Sequence, residues 1–190
     1  MENAVTRWFG PQFGRLHPLL QELHRRGGTL HGTVEVDFGR GVAGWVGRRL
    51  ARRLGIPAQA GQVALQVDIR HENGELYWRR RFGAGGEMLS IFRPVGAWPE
   101  GYWIERTGFL ELKLTVDVIE GGWYWRALGV RAGGLPVALW LVPGSRAFKR
   151  IENGKYFFGV RLVLPLLGDV LRYGGALEAR VPAGSFPASP

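Results

Sequence analysis

The chain has 190 residues, of which 46% are hydrophobic and 22% charged, and its 25 basic against 16 acidic side chains leave a formal charge of +9. This balance excludes an intrinsically disordered chain, and a domain of this length buries roughly 70% of its unfolded surface, enough to hold a core without metal or disulfide. The absence of cysteine excludes disulfide scaffolds, thiolate zinc centres, iron–sulfur clusters and thiol nucleophiles together.

Thirty glycines and eight tryptophans point to tight turns joining strands with bulky partners. Leu16, Leu19, Leu20 and Leu23 recur at helical spacing and predict an amphipathic helix over residues 14–26, stopped by Gly27-Gly28. His17, before Pro18, reads as a helix-start residue. Over 33–38 the period changes to two, with Val34, Val36 and Phe38 opposite Glu35 and Asp37, the mark of a half-buried strand. A second helix is predicted over 42–54, with Val42, Val46, Leu50 and Leu54 in one stripe and Gly55 and Pro57 ending it. Beyond Pro57 the chain alternates: Val63, Leu65, Val67 and Ile69 oppose Gln66, Asp68 and Arg70, and Leu110, Leu112, Leu114, Val116 and Val118 oppose Glu111, Lys113, Thr115 and Asp117. Further strands are predicted over 76–82, 88–95, 102–107, 123–131, 146–151, 156–164 and 171–181. Asn73-Gly74, Gly85-Gly86, Gly121-Gly122 and Asn153-Gly154 supply hairpin turns, and Pro165 with Gly168 suggests an edge or a bulge.

The expected fold is therefore mainly β with minor α: an antiparallel up-and-down β-barrel or strongly curled sheet of about nine strands, covered by two helices. Residues 1–181 form one domain in this reading, and 182–190, made of Pro, Ala, Ser, Gly and Phe, form a disordered tail. No stretch reaches about 18 consecutive apolar residues and residues 1–10 have no apolar signal-peptide region, so a cytoplasmic protein is expected.

Gly39, Gly41 and Gly44 spell a G-x-G-x-x-G between a strand and a helix, but the delivering strand alternates Glu35 and Asp37 with valines. A dinucleotide fold needs a strand buried on both faces, so the motif reads as a turn. Arg48, Arg49, Arg52 and Arg53 beside Trp45 make the second helix basic, suited to an anionic membrane surface or to the solvent face of a lid. Arginine supplies 22 of the 25 basic residues, so charge alone decides little. Trp78, Trp103, Trp123, Trp125 and Trp140 fall on or beside strands with interleaved arginines. Arg80 shares its register with Leu76, Trp78 and Phe82 and is expected to point inward, where it needs a partner such as Glu105 or an anionic ligand. The four histidines lack metal-ligand spacing and no serine has a nucleophile-elbow context, so neither metal nor cofactor is expected.

Leu16-His17-Pro18, Trp78 with residues 79–83, Glu105-Arg106 with Gly108, Gly134-Leu135-Pro136, Leu141-Val142-Pro143, Leu164-Pro165-Leu166-Leu167-Gly168 and Arg172-Tyr173 carry a family resemblance. The chain resembles a bacterial domain of unknown function found alone or C-terminal to saccharopine-dehydrogenase-like NAD-binding domains, over about residues 14–181. The resemblance implies a module working beside an oxidoreductase, presenting or holding an apolar substrate, and brings no catalytic residue with it.

The favoured reading is an accessory binding domain holding a lipid-like or other apolar small molecule in a barrel cavity, with Trp78, Arg80, Trp103, Glu105, Arg106 and Tyr173 as pocket residues. Two alternatives stand beside it. One is a peripheral binder of an anionic membrane surface, or less favourably of nucleic acid, through Arg48, Arg49, Arg52, Arg53 and Trp45. The other is an enzyme acting on an apolar substrate, with Arg80, Glu105 and Arg106 doing acid-base work.

Overall fold

Period-two alternation needs a wall with one dry face, and a ring of strands supplies it without leaving an edge. The computed structural model describes residues 2–83, 85–141 and 146–182. The tail expected to be disordered lies, beyond Pro182, outside the described residues. Eleven strands occur among them: β1 (Gly28–Phe38), β2 (Gly61–Glu72), β3 (Glu75–Phe82), β4 (Gly86–Val95), β5 (Tyr102–Thr107), β6 (Leu110–Ile119), β7 (Gly122–Ala132), β8 (Leu135–Val137), β9 (Arg146–Glu152), β10 (Lys155–Leu164) and β11 (Gly168–Arg180). Strands β1 to β7 form a meander, β9 to β11 continue it, and β11 returns to β1, all antiparallel. Ten strands thus close a barrel, in keeping with the expected count of about nine, and β8 pairs only with β7 outside the ring. At three residues, β8 is too short to show alternation in the sequence.

The joints follow the turn chemistry. Asn73 and Gly74 have φ of 50° and 77°, Asn153 and Gly154 of 49° and 73°, the positive pairs that match strand twist. The β6–β7 turn sits one residue earlier than expected, on Glu120 and Gly121, with Gly122 already in the strand. A bulge falls between Leu162 and Val163, just before Pro165. The shortest seam of the ring joins β7 to β9 through three pairs, Trp123 with Lys149, Tyr124 with Phe148 and Trp125 with Ala147.

Three helices, one more than expected, close the ends: α1 (Ala4–Phe9), α2 (Pro18–Arg26) and α3 (Gly41–Leu54), with a 3-10 segment Gly10–Arg15 between the first two. Helix α1 is too short to display a helical period, and its cap defines it. Asn3 Oδ1 accepts from the backbone N–H groups of Val5 and Thr6 at 2.9 and 3.0 Å, a capping box completed by Thr6. The Asn3 amide donates to the carbonyls of His24 and Arg25 at 2.9 and 3.0 Å, which ties α1 to the end of α2. His17 caps α2 through Nδ1, which accepts from the Leu19 N–H at 3.2 Å. Val5, Trp8, Phe9, Phe13, Leu20 and Leu23, all buried, plug one mouth of the barrel.

Helix α3 packs across the other end on β11 and β1. Its buried face is Ala43, Gly44, Gly47 and Ala51, rotated from the predicted stripe. Val46, Leu50 and Leu54 are half-buried, whereas Val42 is 65% exposed. The reason is close approach: a Cβ at Gly47 would collide with the Val170 carbonyl and one at Gly39 with that of Asp169. The G-x-G-x-x-G stretch therefore seats a helix against a strand backbone. Gly47→Ala should destabilise the fold by about 1–3 kcal/mol through overpacking. Gly14→Ala, where a Cβ meets nothing within 4 Å, should stay within about 0.5 kcal/mol; urea unfolding of both variants checks the contrast.

Candidate functional site

Alternation along β3 turns Leu76, Trp78 and Phe82 into the core, and Arg80 follows them. Alternation along β9 does the same for Lys149, which is 3% exposed. The two meet on a cavity of about 50 Å³ at the barrel's centre, bordered also by Phe92, Trp125 and Tyr156 among others. Such a volume holds roughly four water-sized groups.

The Lys149 amine stands 3.7 Å above the Trp123 ring centroid and 4.6 Å from that of Trp78. Its Nζ lies 2.7 Å from His24 Nε2, contributed by the plug helix α2. No carboxylate comes within ion-pair distance of it among the described residues. Burial holds the Lys149 amine well below its ordinary pKa; the Arg80 charge adds to this and Glu105 opposes it. Burial likewise lowers His24, helped by Lys149 and His71. With the ring proton on Nδ1, Nε2 accepts from a neutral amine whose lone pair stays free. Tyr156, 1% exposed, keeps its phenol protonated because burial disfavours the phenolate. Its hydroxyl and Trp78 Nε1 have no partner among the described residues.

Arg80 points inward. Its Nη1 donates to Ser90 Oγ at 2.8 Å, and its guanidinium lies 5.2 Å from the Trp78 ring centroid. Ser90 Oγ meets Thr107 Oγ1 at 2.6 Å, and Thr107 donates to Glu105 Oε1 at 2.9 Å. Since a threonine hydroxyl has one hydrogen, Ser90 must donate to Thr107. Arg80 therefore reaches Glu105 through two hydroxyls instead of by direct contact.

Of the other sequence-predicted pocket residues, Tyr173 is buried between Phe82 and Phe158, with ring centroids at 6.0 and 5.9 Å. Trp103 is fully buried against Trp8, Trp123 and Trp125 and does not border the cavity. Arg106 is a correction. It follows inward Glu105 by one residue, so it faces out and pairs with Glu111 at 3.1 Å on the surface. On α3, Arg48 lies over Phe38, Arg49 over Trp45 and Arg53 over Phe109, while Arg52 is exposed. The residues missed in the sequence are Lys149, His24 and Tyr156. A usable signal existed: Lys149 alternates with Phe148 and Arg150 on the side of Ala147 and Ile151, and His24 falls four residues after Leu20 in the α2 stripe.

The geometry is that of a closed antiparallel barrel with a small, mainly apolar cavity bordered by Arg80, Lys149, Tyr156 and Trp78. The chain belongs to the family of the domain of unknown function DUF4166, which it matches over residues 16–177, a span that includes His24, Arg80, Lys149 and Tyr156 but not α1. No curated protein matches it.

The lowered Lys149 pKa makes stability depend on pH. The unfolded chain binds this proton up to about pH 10.4 and the folded chain does not, so stability is complete above that value and is lost as pH falls. His24 adds a loss of the same sign below about 6.5, and the buried tyrosines act only above about 10. Between pH 7 and 9.5 the unfolding free energy should rise by up to about 1.4 kcal/mol per pH unit, and Lys149→Met should flatten that slope in urea titrations.

Proposed function

We propose that this barrel binds a short molecule with an electron-rich head, a carboxylate or a carbonyl, in its central cavity. One observation carries the reading: the cationic or amine-bearing side chains of Arg80 and Lys149, together with Tyr156 and Trp78, border the cavity, and among the described residues no carboxylate or amide side chain does. Two of those side chains lack any hydrogen-bond partner among the described residues. Six further buried ring nitrogens, on Trp8, His24, His71, Trp103 and Trp123, also lack a partner among the described residues, but Tyr156 and Trp78 are the unpartnered side chains that border the hollow, where a ligand or bound water can supply acceptors. The apolar remainder, from Phe92, Trp125 and Leu177, suits a hydrocarbon body. The cavity's 50 Å³ lies far below the roughly 300 Å³ at which drug-sized pockets begin. It therefore favours a short molecule over the lipid-like one suggested by the sequence. Ala147 and Phe148, from the three-pair seam between β7 and β9, border the cavity.

Calorimetric titration with propanoate tests this. Binding by the wild-type chain and a loss of at least tenfold in Arg80→Met are expected, since a hydrogen bond to a charged group contributes about 1.5–3 kcal/mol. No heat of binding for the wild type would remove the reading.

A second reading rests on the α3 end. Val42 and Trp45 are 65% and 63% exposed beside arginines without carboxylate partners among the described residues, and Trp140 is 71% exposed. Cations beside exposed tryptophan suit an anionic lipid surface, at about 1 kcal/mol per basic residue near it. Sedimentation with phosphatidylserine vesicles at low salt should retain the wild type and lose the variant with Arg48, Arg49, Arg52 and Arg53 changed to Gln. Equal retention of both, or capture by nucleic acid alone, would sink this second reading.

A further inference from the structure

Lys149 is one of three lysines, and Lys113 and Lys155 are exposed. Its side chain borders the cavity, and its amine lies against tryptophan rings and contacts an imidazole instead of a carboxylate. A lysine desolvated beside another cation keeps its lone pair at neutral pH and acts as a nucleophile toward carbonyl carbon. The side chains of Lys149, Arg80 and Tyr156, the last with its phenol protonated, border one hollow.

Resting on the binding reading above, we propose that the cavity is a carbonyl-reactive site, in which the Lys149 amine condenses with a short oxo acid whose carboxylate faces Arg80. The Nζ lone pair attacks the carbonyl carbon and the carbon–oxygen π bond breaks. One amine proton passes through His24 Nε2 to the former carbonyl oxygen, giving a carbinolamine. The second amine proton then leaves with that hydroxyl as water while the C=N bond forms. Two amine hydrogens and one carbonyl oxygen account for the water, and no oxidant or reductant is required. The Tyr156 hydroxyl, unpartnered among the described residues, donates to the carbonyl oxygen as charge develops on it. Arg80 selects the acid by pairing with its carboxylate. His24 acts as the proton carrier because burial keeps it neutral and its Nε2 is 2.7 Å from the amine.

The test uses the whole chain, pyruvate as the probe and cyanoborohydride at pH 7 to reduce any Schiff base, followed by peptide mapping. A reduced pyruvate adduct on Lys149, at least tenfold above Lys113 and Lys155, is expected, and it should vanish when the chain is unfolded in urea. The two exposed lysines serve as controls in the same molecule, so the result does not depend on whether Lys149→Met folds. Labelling spread evenly over the three lysines overturns the proposal. Propanoate, which has no carbonyl, separates the two readings. Its binding without a Lys149 adduct overturns the Schiff base and leaves the binding site standing, whereas neither binding nor adduct overturns both.

Discussion

A lysine amine carried into an apolar interior must either find a counter-charge or give up its proton, and the centre of this barrel is arranged around that requirement. Lys149 has aromatic faces on its sides and a neutral imidazole at its head. The imidazole belongs to a different part of the chain. His24 stands near the end of α2, and the Asn3 amide grips that end by its carbonyls. The first helices therefore do more than shut a mouth. Asn3 fixes the end of α2, α2 sets His24 against the Lys149 amine, and the burial that α2 completes keeps that amine's proton off. Removing the plug would let water reach the amine, and with water its proton would return.

The opposite wall solves a related problem differently. Arg80 cannot lose its proton, so it keeps its charge and hands donors along Ser90 and Thr107 to Glu105. Every hydrogen in that chain points toward the carboxylate, which fixes the orientation of both hydroxyls. The countercharge is thereby kept off the cavity wall, and Arg80 borders a hollow on which no carboxylate or amide side chain stands among the described residues. The interior is close to electrically neutral as a whole and strongly biased toward donors at one point. A filled hydrophobic core has no such local bias, and a hydrophobic barrel built only for stability would not need one.

Much of this architecture is legible in the sequence because period-two alternation and turn residues act locally. The β5 limits, Tyr102–Thr107, match the predicted segment, and Asn73-Gly74 and Asn153-Gly154 turn where their φ preferences place them. The inward face of Arg80 followed from the same alternation, as did, with the opposite sign, the outward face of Arg106; grouping both in one pocket set that alternation aside. Other features depend on partners far along the chain. β1 begins at Gly28, five residues before its alternation does, because β2 and β11 pair with it on both sides. Helix α3 turns its Val42 outward, off the predicted stripe, because close backbone approach by Gly47 outweighs side-chain hydrophobicity. Lys149 and His24, 125 positions apart in the chain, show nothing of their contact in either local pattern.

The ring closes where β11 meets β1, with Thr29 opposite Arg180 and Phe38 opposite Leu171. The chain's early and late strands must therefore find one another before any strand is free of an edge. Contacts of such long sequence separation place a fold among slow ones, and during synthesis an open sheet ending in β1 waits, its unpaired N–H and C=O groups exposed to association with other chains, until β11 emerges. Helix α3 lies over that junction, with Gly47 against both Val170 of β11 and Phe38 of β1. The basic segment leaves the ribosome directly after β1, charged on its outer face, and covers the flank of the strand that waits longest for its partner.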